Sequence, residues 1–330
     1  MKTIQKMFIT VAILVGLGLF TFLAGPAVTL AQDYPDKPIT IYVGYSPGGA
    51  ATNSVHIVAE GAKKYLPKPQ PILIINKPGA STAIAADFVL KQPADGYSLF
   101  LFQPGICGKL AKDEHQLSFT MEDFIPIRTY GMTPQMLVVG KEKSPFKEIE
   151  EFVAYAKKHP GELTYGSTGV GSIDHLTAEI FMQQSGIKLN QIPVGGGAPK
   201  IPSLMGGHIN CAFTTPGSAR GHIKPGGGLR VLAFLIPQRW PDLPDVPTAI
   251  EKGYDVNRSF WCALAVPKGT PQPVLDILRE VFEKTNNDPQ VKEKLLKLGF
   301  LPLNWDTEET KKMAKKEFDL AKDFYKKIGL

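Results

Sequence analysis

Apolar positions along the chain alternate between short continuous runs and a spacing of three to four residues. ITIYVGY, starting at Ile39, is a β-branched and aromatic run of strand character. Beyond it Val55, Val58, Ala59, Ala62 and Leu66 recur at helical spacing, so a helix follows. ILIIN reads as a strand, residues 82–91 as a helix, and SLFLF and MLVVG as strands. Phe152, Tyr155 and Ala156 fall on one side of a helix over residues 146–159. LTYGS is a strand leading through a glycine turn to a helix over residues 175–185. QIPV precedes another glycine turn and helix. HINCAFTT, LRVLAFL and FWCALAVP are strands, and the tail predicts helices near 273–285, 289–297 and 307–328. Strands alternating with helices imply βαβ units and mostly parallel sheets. The order strand, glycine turn, helix occurs at 41–60 and again at 163–185, as two α/β lobes opening onto one cleft would produce.

The first 31 residues fall outside this pattern. Lys2 and Lys6 precede an apolar run from Met7 to Ala24, and small residues follow. That is the form of a secretory signal peptide, with cleavage expected before Gln32. An uncleaved anchor is the alternative, which Pro26 and the small-residue tail disfavour. No cysteine follows the run to carry a lipid. The remaining chain is longer than one hydrophobic core usually serves, so two lobes are expected.

Charge narrows the partners. Removing Lys2 and Lys6 takes two from the formal net charge of +6 and leaves +4. The lysines between 311 and 327 alternate with acids opposite an apolar stripe of Met313, Phe318, Ala321, Phe324 and Ile328. That is a solvated helix face, not a nucleic-acid surface. Cys107, Cys211 and Cys262 are too few and too scattered for a disulfide scaffold, and buried thiols are expected. Whether Cys211 and Cys262 pair is left open. No Cys/His spacing suggests zinc, and neither a metal nor a cofactor is expected.

The candidate chemistry lies in the glycine turns. Ser46-Pro-Gly-Gly-Ala-Ala-Thr52 joins a strand to a helix start without a charged residue. Helix-start N–H groups and the helix dipole favour an anion there. Ser167-Thr-Gly-Val-Gly-Ser172 has the same ingredients, with Ser172 or Asp174 as the helix cap. Val194-Gly195-Gly-Gly-Ala198 is the third such turn. GVGSID departs from the dinucleotide fingerprint at Asp174, and no phosphate-loop pattern occurs. Tyr165 breaks the nucleophile-elbow pattern around Ser167. A serine hydrolase using Ser167 and His175 is the rival reading, and a structural or adhesive exported protein is a second. His175 is read instead as a support for its loop.

These residues also carry a resemblance. YPDKPITIYVGYSPGG, NKPGASTAIAADFV, PADGYSLF, LTYGSTGVGSIDHLTAEIF, LMGGHINCAF, GLRVLAF, LPDVPTAIEKGYDV and WCALAVPKGTP occur in order over nearly the whole chain after the leader. In this the chain resembles the extracytoplasmic solute receptors of tripartite tricarboxylate transporters, the TctC or Bug proteins. The resemblance implies a periplasmic binding protein type II fold of two α/β lobes with a central ligand cleft. It implies lobe one over 32–138 and 256–330, and lobe two over 139–255. It also implies a monomer in the periplasm that holds a small carboxylate through backbone amides and hydroxyls, is not an enzyme, and partners with integral membrane transporter subunits. Carried over by position, the contacts are Tyr45, Ser46, Gly49, Ala50, Ala51 and Thr52 from the first turn. Ser167, Thr168, Gly171 and Ser172 come from the second, Val194 and Gly195 from the third. Gln103 and Pro104 line the mouth, and Thr214 ends a facing strand. The family usually has an acid where Thr52 stands and often another where Thr214 stands. The third turn often reads Tyr-Lys-Gly-Ser, where this chain has Val194 and three glycines. A less negative and roomier pocket, suited to a more anionic or bulkier acid, is therefore expected.

Overall fold

The computed structural model describes residues 33–113, 116–194, 197–224 and 226–327. The leader with its expected cleavage site, and Gly195, lie outside the described residues. The chain begins β1 (Ile39–Val43), α1 (Ala50–Ala62), β2 (Ile72–Asn76), α2 (Ala83–Leu90), β3 (Ser98–Phe102), α3 (Pro104–Lys112) and β4 (Phe124–Pro134). It continues β5 (Met136–Gly140), α4 (Ile149–Lys158), β6 (Thr164–Ser167), α5 (Ile173–Ser185), β7 (Asn190–Pro193), α6 (Gly197–Met205), β8 (Cys211–Thr214), the short α7 (Pro216–Ala219) and β9 (Leu229–Phe234). It returns as β10 (Ser259–Pro267), α8 (Gln272–Asn287), α9 (Pro289–Leu298), β11 (Leu301–Trp305) and α10 (Thr307–Lys327).

Two mixed sheets result, in the orders β11-β4-β10-β3-β1-β2 and β7-β6-β8-β5-β9. The sheets are less parallel than expected. β1 is parallel to β2 and β3, and β6 is parallel to β7 and β8. β10 runs against both β3 and β4, β11 against β4, and β5 against β8 and β9. The reason is topological. The chain leaves the first sheet along β4, enters the second along β5, and comes back along β10, so the crossing strands oppose their neighbours. Apolar side chains pack on both faces of each sheet: Ile41, Leu101 and Leu264 on one face of the first, Phe100, Phe102 and Trp261 on the other. In the second, Leu137 and Phe213 face one core while Val138 and Ala212 face another.

The crossing is tighter than the sequence suggested. Only Gln135 separates β4 from β5, so Met136, Leu137 and Val138 belong to the second sheet and not to lobe one. On the return, Val256 is buried in the core of the second sheet, which moves that boundary to Arg258. Three backbone hydrogen bonds close a ring here. Gln135 N–H donates to Arg258 O at 3.0 Å, Arg258 N–H to Leu235 O at 2.6 Å, and Leu235 N–H to Gln135 O at 2.8 Å. The buried Arg258 guanidinium also pairs with Glu317 of α10 at 2.8 Å. A joint with both strands tied by main chain has the form of a hinge.

Away from the joint the lobes meet along a seam of glycines. A Cβ on Gly108 of α3 would lie 2.7 Å from Gly171 O, and one on Gly217 of α7 would lie 2.6 Å from Leu298 O. Ser81 Oγ donates to Val170 O at 2.9 Å across the same seam. Ser81 sits in a run of three left-handed residues with Ala80 and Thr82, a conformation that costs of order 1–3 kcal/mol per non-glycine residue. Gly108 is helical, so Gly108→Ala raises local helix propensity by about 1 kcal/mol while adding a methyl the seam has no room for. The expected outcome is an unchanged or higher melting temperature together with a larger radius of gyration by small-angle X-ray scattering; an unchanged radius would show that the seam tolerates the methyl.

Candidate functional site

The site lies where β1 and β6 end. Gly48 has φ of +82°, which suits glycine, and extended Gly49 leads directly into α1. Gly49 has no side chain to cap this start, and the N–H groups of Ala51 and Thr52 have no carbonyl behind them in the helix. From the other lobe, Ser172 caps α5 through its Oγ, which accepts from His175 N–H at 3.2 Å. Between the two starts lies a cavity of about 40 Å³. Tyr45, Gly49, Ala50 and Ala51 line it from the first lobe. Thr168, Ile173, Asp174, Lys200 and Thr214 line it from the second. Gln135 closes it at the joint and Phe260 at the floor, where its ring meets Tyr45 edge-on at 5.8 Å. Thr215 and Ser218 complete the wall, and Ser218 Oγ accepts from Ala50 N–H across the cleft at 3.3 Å.

Six expected contacts therefore converge: Tyr45, Gly49, Ala50, Ala51, Thr168 and Thr214. The others serve the scaffold. Thr52 Oγ1 turns back to Ser46 O and accepts from Asn76 Nδ2, which ties the first turn to β2 and keeps both residues off the cavity wall. Gln103 caps α3 and donates to Thr82 Oγ1, and Pro104 is the first residue of that helix, so neither lines the mouth. Ser167 Oγ accepts from Gly169 N–H and from Gln191 Nε2, which braces the second turn from behind. Gly171 packs on Lys109 at the seam, Ser172 is spent as the cap, and Val194 faces Gly166. The hydrolase pairing fails on geometry. His175 Nδ1 accepts from Gly171 N–H at 3.3 Å and contacts Tyr325 Oη at 3.2 Å, while Ser167 bonds elsewhere.

Two charged residues are the main correction. A turn chemistry without charged side chains was expected, yet Lys200 and Asp174 form an ion pair at 2.8 Å whose side chains are only 3% and 5% exposed. Lys200 Nζ also donates to Phe213 O at 2.8 Å. Asp174 sits in the first turn of α5, where the dipole favours a carboxylate. Nor is the cavity roomy, because the Lys200 stem packs over Gly166 and the Tyr45 and Phe260 rings close the far side. Burial, and next the Asp174 charge, push the Tyr45 hydroxyl well above its ordinary range, so it stays a neutral hydrogen-bonding group. All three cysteines are free and buried. Cys211 and Cys262 stand in different sheets, and burial pushes the Cys262 thiol up to about 12.

Two mixed α/β lobes, a paired-strand joint and helix starts facing one interlobe cavity define a two-lobed solute-binding protein. Comparisons with known proteins agree. The profile of the tripartite tricarboxylate transporter family receptor, TctC, matches residues 55–330. A Cupriavidus necator protein named for the gbd 5′ region is 30% identical over 314 residues, which are 93% of this chain and 92% of that one. The periplasmic binding protein BugD superposes with a TM-score of 0.82 at 27% identity, over 90% of this chain and 99% of its own. An R. palustris protein solved with adipate gives 0.83 at 26% identity, with 90% and 99% covered. The chain belongs to the TctC receptor family, whose members are receptors and not enzymes.

His175 ties this site to pH. Burial, and then the nearby Lys112, lower its pKa from 6.5 to about 4, so the folded protein keeps the ring neutral. A depressed histidine stabilises the fold fully above the unfolded value, and that contribution fades as pH falls from 6.5 towards 4. The loss is on the order of 3 kcal/mol across the window, at 1.36 kcal/mol per unit. Chemical denaturation at pH 6.5 and pH 4.5 is expected to show a smaller stability difference for His175→Gln than for the parent; equal differences would place the acid sensitivity elsewhere.

Proposed function

We propose that the protein captures a small carboxylate between its lobes in the periplasm and delivers it to the integral subunits of a tripartite tricarboxylate-type transporter. The observation that carries this reading is the meeting of two helix starts, α1 and α5, from different sheets at one cavity. Free N–H groups and aligned dipoles at both starts suit an anionic oxygen group. Tyr45, Gly49, Ala50, Ala51, Thr168 and Thr214 are the proposed contacts, with backbone amides and hydroxyls making most of the hydrogen bonds. The adipate of the R. palustris relative supports a carboxylate over other anions. A cavity of about 40 Å³ holds roughly one water, so capture requires the lobes to part about the Gln135–Arg258 joint and close again over the ligand. Ligand contact with both lobes then stabilises the closed form, which is the form presented to the transporter.

A thermal-shift screen against mono-, di- and tricarboxylates, aromatic acids and acidic amino acids tests this. A ligand at a hundred times its dissociation constant adds about 2.7 kcal/mol of stability. For a protein of this size that moves the melting temperature by a few degrees. A flat response to every acid, alongside a clear response to neutral solutes, would replace the carboxylate with another cargo.

A further inference from the structure

We propose that Lys200, held in place by Asp174, is the specificity-determining cation of the cleft and selects ligands that carry a second carboxylate. The inference rests on the carboxylate-receptor reading above. An ammonium group has three N–H donors. Lys200 Nζ gives one to Asp174 Oδ2 and one to Phe213 O, each at 2.8 Å, which leaves one. Beside it on the same wall, Thr214 Oγ1 and Thr168 Oγ1 are buried and have no hydrogen-bond partner among the described residues. Native proteins satisfy nearly all such atoms, so an unmatched group needs a reason. Here two hydroxyls and a cation with one N–H left to give line a single space, and Gln135 Oε1, likewise buried and without a partner among the described residues, is the one amide acceptor beside them.

The chemistry that fits is an anionic oxygen group distinct from the one at the helix starts. A ligand whose far end is a methyl would bury these donors unpaired, and that is how a site built for hydrogen bonds rejects an analogue lacking them. Asp174 explains how Lys200 can wait there. Without ligand it neutralises the ammonium, so the closed cleft holds no lone buried charge. When a second carboxylate arrives, Lys200 bridges it and Asp174. A purely structural role, pinning α6 to α5, predicts the same pair but no effect on ligand choice.

Calorimetric titration of the full chain with adipate and with hexanoate, matched in length, separates these roles. Adipate is expected to bind at least about tenfold more tightly, since a site with polar groups to satisfy discriminates by that much or more. The double variant Asp174→Asn/Lys200→Met removes both charges together, so neither is stranded. It is expected to bring the ratio of adipate to hexanoate affinity to about one. Equal binding of the two acids by the parent, or an unchanged ratio in the double variant, would overturn the role of Lys200 and leave the receptor reading intact. Binding of neither acid nor any other carboxylate would remove that reading and this inference together.

Discussion

An α-helix that starts inside a protein leaves amide hydrogens with no carbonyl behind them, and something must accept them. Most of this molecule follows from placing two such starts face to face. β1 and β6 run parallel to their neighbours, so their carboxyl ends point at the cleft and the helices that follow begin there. One start is capped by Ser172 and the other borrows Ser218 from the opposite lobe. The lobes therefore share hydrogen-bonding groups before any ligand is present.

The ion pair at the cleft wall acts on top of that geometry. Lys200 and Asp174 add polarity without adding net charge, and their burial makes each dependent on the other. Helix starts lie on two sides of the space and the ion pair lies on a third. Tyr45 and Phe260 give it an apolar floor, so shape and charge are supplied by different residues.

Much of the scaffold was legible because long periodic segments rarely mislead. α1, α8, α9 and α10 fall close to where the apolar spacing put them. Helix starts were harder: α4 begins at Ile149 and not near Phe146, because Glu148 and Glu151 form a capping box there. β4 escaped notice, since Pro126, Arg128 and Gly131 interrupt the apolar run; its strand character comes from burial between β10 and β11. α3 was hidden by Gly105 and Gly108. At the site, the glycine turns marked the right loops but not which side chains turn inward. Thr52 and Ser167 have the right chemistry and spend it on the backbone around them. Lys200 belongs to no motif that marks it in the sequence. Its spacing of four from the buried Leu204 was the available signal, because that spacing puts both on one helical face.

The glycine seam separates two tasks that many binding proteins entangle. Gly108 meets the main chain of Gly171, and Gly217 meets the main chain of Leu298 with the Ala50 methyl beside it. Tyr45, Lys200, Thr214 and Phe260 line the cavity and take part in neither contact. Substitutions at these four side chains thus leave the Gly108–Gly171 and Gly217–Leu298 contacts untouched, whereas Ala50 belongs to both the lining and the seam. A lineage built on this scaffold is free to trade one cargo for another while its members keep clasping in the same way.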